Sequence, residues 1–216
     1  MGSLKDKAYS IIHDKIITCE LMPGDIIDEK SLILQTGCSR TPVREALTIL
    51  ARDGLVRIVP RRGMFVSEIS VKDIKDIYEL KRELEPIILR ECWENIPNER
   101  LIYFQQVFQT DLQSYNYTLA DAEFHAMILD SCDNNYYRLI MNIVSDQSQR
   151  IRILTNENPE RLLQSSKEHL MVIDALLKKD IDAAAKAMRI HYQNSLDNAL
   201  KMGLTDAFVI SAARSC

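Results

Sequence analysis

Three of the four histidines, His125, His169 and His191, fall in the second half of the chain, and Asp121 stands one helical turn before the first of them. Asp121 and His125 are i and i+4, so on a helix they share one face. His125 is followed by Ile128, His169 leads Val172, Ile173 and Leu176, and His191 follows Ala184, Ala187 and Met188. Each of the four therefore continues an apolar face and is expected to point inward. Burying four ionisable side chains unpaired is costly, and one shared cation would satisfy them together. A carboxylate and three imidazoles are donors for a first-row transition metal, and zinc, nickel and manganese all suit them. Three core histidines, each with its own hydrogen bond, fit the same spacing. On the residues alone both readings stand. His13, near the start of the chain, reads as an ordinary helical residue.

A second group is cationic. Arg40 and Arg44 are also i and i+4, at the start of a segment whose Val43, Ala46, Leu47 and Leu50 make an apolar face. A guanidinium there can pair bidentately with guanine O6 and N7, or with phosphate. Farther on, Pro60-Arg61-Arg62-Gly63 separates two apolar runs, Leu55–Val59 and Met64–Val66. That pattern predicts a hairpin with a basic tip, suited to phosphate or the minor groove. Solvated helix charges would account equally well for Arg40, Arg44 and Glu45 taken by themselves.

The elements that would position these groups can be read from periodicity. Ala8, Ile11, Ile12 and Ile16 predict a first helix, broken by Leu21-Met22-Pro23-Gly24-Asp25. Asp28 is placed to cap a second helix ending near Thr36, and Ser39 or Thr41 a third, which Asp53-Gly54 ends. Three helices followed by a hairpin is the winged helix-turn-helix plan. From Val71 the pattern is helical throughout, with helices expected near 71–95, 98–114, 119–132, 134–154, 160–178 and 180–202. The fold class is therefore mainly α. Residues 1–69 read as a winged helix-turn-helix DNA-binding domain, and residues 70–216 as an all-α antiparallel bundle for effector binding and dimerisation.

Bulk properties agree without deciding. The hydrophobic fraction is 46% and the charged fraction 27%, as in globular proteins. No apolar run approaches the ~20 residues of a membrane span, and no signal core opens the chain, so a cytoplasmic location is expected. The five cysteines are scattered without a C-x-x-C pair, which argues for reduced thiols and against a cysteine zinc site. The net charge is −4, but residues 1–70 carry ten Lys and Arg against nine Asp and Glu. The arginines cluster at 40–44 and 57–62, and local placement matters more for DNA than the sum.

Taken as a string, Pro23-Gly24-Asp25, Ser39-Arg40-Thr41-Pro42-Val43-Arg44-Glu45-Ala46-Leu47, Leu50, Gly54-Leu55-Val56 and Arg62-Gly63-Met64-Phe65-Val66 closely resemble the GntR family of bacterial regulators. The resemblance covers about residues 4–68. It implies operator contacts for Arg40 and Arg44, for Lys30 on the preceding helix, and for Gly63 in the wing. With Thr41, Arg61 and Arg62 these are the candidate DNA-binding residues. Asp121-x-x-Phe124-His125, Glu168-His169 and Met188-x-x-His191 resemble the FCD ligand-binding domain of the FadR branch, and six helices suit its shorter, VanR-like form. That resemblance implies one divalent transition metal ion held by Asp121, His125, His169 and His191 at the floor of an effector pocket. Where the family often has an arginine on the first bundle helix, this chain has Lys81 in Tyr78-Glu79-Leu80-Lys81-Arg82-Glu83-Leu84-Glu85. Lysine lacks the planar fork that grips a carboxylate, yet can still pair with an anion.

The expected function is a transcriptional regulator, a homodimer on double-stranded operator DNA, answering to a small effector such as a carboxylic or sugar acid. The competing class is a metal-dependent hydrolase bundle fused to a DNA-binding module. Neither H-E-x-x-H nor a Gly-rich phosphate loop supports that alternative, so a non-enzyme is expected.

Overall fold

A computed structural model describes residues 3–110, 117–155 and 159–203. The first unit holds α1 (Leu4–Ile17), α2 (Glu29–Thr36), α3 (Arg40–Arg52), β1 (Val56–Val59) and β2 (Gly63–Val66). Ser3 and Asp6 form a reciprocal capping box at the start of α1. This helix ends at Ile17, before the expected break at Leu21, because the chain turns at Cys19 with φ 56°. Asp28 caps α2 as anticipated, accepting from the Lys30 amide at 3.0 Å. Ser39 occupies the cap position of α3 but makes no side-chain capping bond. Ala8, Ile12, Ile16, Leu32, Val43, Ala46, Leu47, Leu50, Leu55, Val56 and Val66 close one core. β1 and β2 pair antiparallel, with Val59 opposite Gly63 next to the tip.

The turn between α2 and α3 rests on Gly37, whose φ of 64° lies in the left-handed region. A β-carbon there would meet only Lys7 Nζ at 3.7 Å, an ordinary contact, so any cost is in the backbone. Gly37→Ala is expected to destabilise the protein by about 1 kcal/mol or more. Urea unfolding of the variant beside wild type measures this, and unchanged stability would contradict it.

The second unit holds α4 (Val71–Cys92), a 3-10 turn (Trp93–Asn95), α5 (Asn98–Gln109), α6 (Tyr117–Asp130), α7 (Asn135–Leu154), α8 (Pro159–Leu177) and α9 (Ile181–Gly203). The expected helix over 98–114 stops at Gln109, where Thr110 is extended, and positions 111–114 lie outside the described residues. α4 packs along α9, α9 on α8, and α8 on α5. Their core runs from Ile69 to Ala199 and includes Leu89, Phe104, Phe124, Ile128 and Val172. Among the described residues no helix is long and apolar enough to cross a membrane, and Cys19, Cys38, Cys92 and Cys132 are free thiols.

Candidate DNA face and candidate metal centre

In α3 the apolar residues at 43, 46, 47 and 50 are buried, which leaves Arg40, Thr41 and Arg44 exposed on the outer side. Lys30 on α2 is exposed as well, and so are Arg61, Arg62 and Gly63 at the hairpin tip. Arg61 (φ 64°) and Gly63 (φ 115°) are both left-handed, and this is how three residues reverse the chain. One partner was missed in the sequence. Arg44 donates from Nε and Nη2 to Glu29 at 2.9 and 3.1 Å, a bidentate pair that ties the guanidinium to the first residue of α2. The Glu29–Arg44 separation of fifteen residues hides this pair from any helix-periodicity argument.

The bundle brings the other four candidates together. Asp121, His125, His169 and His191 each offer a ligand atom within 4.8 Å of the others. His169 Nε2 lies 3.2 Å from His125 Nε2 and 3.5 Å from Asp121 Oδ1. The ring centroids of His169 and His191 are 4.4 Å apart. Asp121, His169 and His191 are buried, and His125 opens partly to the cavity.

Each ring is held from behind through Nδ1. His125 Nδ1 meets Glu85, His191 Nδ1 lies 2.9 Å from Glu168 Oε2, and His169 Nδ1 lies 3.0 Å from the Tyr117 hydroxyl. These supports are braced in turn. Tyr192 donates its hydroxyl to Glu85, while Arg161 and Asn194 donate to Glu168 at 3.0 and 2.6 Å. A proton on each Nδ1 leaves each Nε2 lone pair free, and the donors converge. Outer hydrogen bonds of this kind orient imidazole ligands and strengthen them as donors. Arg152 pairs with Asp121.

The electrostatics suit metal donors. Burial, then the neighbouring imidazoles, pushes the pKa values of His169 and His191 well below 6.5, so both are neutral. Burial alone would raise the Asp121 carboxyl, but the Arg152 guanidinium beside it outweighs this and holds it ionised. Glu85 is likewise drawn down to about 2, against its own burial, by His125, Lys81 and Tyr192. The two depressed histidines carry a stability consequence. Below pH 6.5 the unfolded chain takes up protons that the folded chain refuses, so stability falls as pH decreases from there. The limit is about 1.4 kcal/mol per pH unit for each imidazole. Urea unfolding of metal-free protein between about pH 7.5 and 5.5 should show the loss, and His169→Gln should shrink it. An identical slope in the variant would refute the assignment.

Beside the four donors lies a cavity of about 120 Å³, lined by Tyr78, Lys81, Ser145, Ser148, Gln149 and Arg152 among others. Lys81 is buried, donates to the Ser148 hydroxyl at 3.2 Å and sits 5.1 Å above the Tyr192 ring. Burial pushes its pKa down.

Residues 4–66 match the gntR family of bacterial regulatory proteins, and residues 76–194, more than half the chain, match the FCD domain. The chain belongs to the GntR family, with an FCD domain. It is similar to the HTH-type transcriptional repressor RspR of Escherichia coli K12, 27% identical over 199 residues that span 88% of this chain and 86% of that one. The HTH-type regulator YdhC of Bacillus subtilis is 25% identical over 197 residues, 88% of each chain. Among solved structures, a GntR regulator from Rhodococcus sp. RHA1 has a TM-score of 0.78 at 20% identity, covering 91% of this chain and 97% of that one. E. coli McbR/YncC has a TM-score of 0.79 at 20% identity, covering 93% and 99%. The chain is thus a DNA-binding transcriptional regulator, with Arg40 and Arg44 exposed on α3 and His125, His169 and His191 gathered beside a bundle cavity.

Proposed function

We propose that this regulator binds operator DNA through Arg40, Thr41, Arg44, Lys30 and the wing residues Arg61, Arg62 and Gly63, under control of a small acid bound beside a divalent metal ion. The observation that carries the sensing half is the convergence of three imidazole nitrogens and one carboxylate oxygen beside the cavity. Asp121, His125, His169 and His191 would hold the ion, with zinc, nickel or manganese all fitting the donors. When bound, the ion supplies a Lewis-acidic site for an oxygen donor. Lys81 and Arg152 add two cations, and Ser145, Ser148 and Gln149 add hydroxyl and amide partners for an acid bearing further oxygens. The volume is near the ~150 Å³ that accepts a benzene-sized molecule, so the effector is small. The domain division proposed is 1–69 for DNA and 70–216 for sensing and pairing, in a cytoplasmic protein without enzymatic turnover.

Pairing follows from α7. Tyr136, Leu139, Ile140 and Ile143 make an exposed apolar stripe at i, i+3, i+4 and i+7. A second copy covering it would give a two-fold dimer matched to a near-palindromic operator. Sedimentation at micromolar concentration should show a dimer, and Leu139→Glu with Ile143→Glu should yield monomers; a monomeric wild type refutes the pairing. For the sensing half the experiment is metal analysis of purified protein, followed by calorimetry of the metal-loaded form with small carboxylic and sugar acids. Binding that needs the metal and shifts operator affinity supports the reading, whereas protein that retains no metal overturns it. Hydrolysis of ester or peptide substrates by the loaded protein would favour the hydrolase instead.

A further inference from the structure

Among the described residues α7 touches both the cavity and the DNA-binding unit, and it does so with opposite sides. Ser145, Ser148, Gln149 and Arg152 line the cavity. At about 100° per residue these four lie on one side of the helix, and Asp146, Gln147 and Arg150 lie on the other. The second set grips the winged helix-turn-helix. His13 Nε2 on α1 lies 2.8 Å from Asp146 Oδ2. Gln147 Nε2 donates to the Gly54 carbonyl at 3.3 Å. Arg150 donates from Nη2 to the Ser67 carbonyl, and the Cys19 thiol lies 4.0 Å from the Arg150 carbonyl.

Arg150 is an unusual choice for a joint. Its side chain is fully buried, it has no ion-pair partner among the described residues, and its Nε finds no acceptor. A buried cation is normally paired; here neutral acceptors hold the guanidinium, Gln147 Oε1 at 2.7 Å as well as the Ser67 carbonyl, and Asp146 is the nearby carboxylate. The tie from Arg150 to the DNA-binding unit is thus a hydrogen bond to one neutral carbonyl, which a shift of α7 by about an ångström would break. Two residues farther on, Arg152 pairs with Asp121, one of the four converging donors. A cation among those donors and the Arg152 guanidinium would compete for the same carboxylate.

We propose that α7 transmits the state of the cavity to the DNA-binding unit: Arg152 would leave Asp121 when that carboxylate holds an ion, α7 would shift with it, and the Arg150 joint to the winged helix-turn-helix would loosen. The inference rests on the metal reading above and names the route by which that site regulates. The coupling is reciprocal, so operator DNA that favours one joint arrangement changes metal affinity by the same factor.

Cys19 lies in the joint and reports on it. Cys38, Cys92 and Cys132 are buried, and Cys216→Ser removes the remaining thiol from the full-length chain. In that background the rate of Cys19 modification by a thiol reagent is measured with and without manganese(II), with bound manganese counted in parallel. Manganese at full occupancy should raise the rate by about fivefold or more. Arg152→Gln should label at the raised rate without metal. Asp146→Asn, changed on a partly exposed side chain, should also label faster while binding manganese as wild type does. An unchanged or slower rate at full occupancy overturns the inference and leaves the metal reading intact. Failure to bind manganese, zinc or nickel overturns both.

Discussion

Asp121→Asn is expected to strip the protein of its metal, from about one ion per chain to a small fraction, with little change in fold. The side chain keeps its size and loses the charge that Arg152 faces and that an ion would need. His191→Ala should do the same, and both should blunt any effector response of operator binding. Glu168→Gln tests the layer behind. Glu168 supports His191 through Nδ1 while Arg161 and Asn194 hold it in place, and losses of about 10–100-fold in metal affinity are typical for such supports. Metal analysis after dialysis, with competition titration against a chelator, gives each figure. Full occupancy in both Asp121→Asn and His191→Ala would mean that the histidines are only core residues, each satisfied by its own Nδ1 partner.

Arg44→Ala is expected to weaken operator binding by about 1–3 kcal/mol and to relax selectivity at one base pair. The change leaves the core untouched, since Val43 and Leu47 carry the packing and Arg44 is exposed. Arg61→Ala and Arg62→Ala should instead weaken binding to all sequences and reduce the salt dependence by about one unit each, as phosphate contacts do. Glu29→Gln separates orientation from charge. If the bidentate pair presets Arg44, the variant loses selectivity while its affinity for unrelated DNA rises. Titrations at matched salt decide these outcomes, and Arg44→Ala with unchanged affinity and selectivity would remove that residue from the interface.

The parts of this architecture that repeat with helical period were legible in the sequence. Val43, Ala46, Leu47 and Leu50 turned out buried as their spacing required, and that burial alone put Arg40 and Arg44 outside. The inward direction of Asp121, His169 and His191 was legible for the same reason. What periodicity leaves out is pairing between elements distant in the chain. Glu85, Arg152, Tyr117 and Tyr192 surround the donors from four different helices, and no local spacing links them. One signal was present. Glu85 and Lys81 occupy the stripe of Ile74, Tyr78, Ile88 and Leu89 on α4, and charged residues inside an apolar stripe call for partners. Arg150 carried the same signal beside Ile151 and Val144.

The order in which the chain is made gives the four donors a further property. Their side chains come from α6, α8 and α9, so the centre is incomplete until His191 has left the ribosome. The three-helix unit with its hairpin closes its own core from residues between Ala8 and Val66, and domains that emerge first tend to fold first. A nascent regulator therefore passes through a stage with a formed DNA-reading helix and no sensor. Capture of the proposed ion would then come last and act on the finished bundle by mass action, adding about 2.7 kcal/mol at a free ion concentration a hundredfold above its dissociation constant. Retention of the proposed ion would thus mark a chain whose synthesis and folding have passed His191.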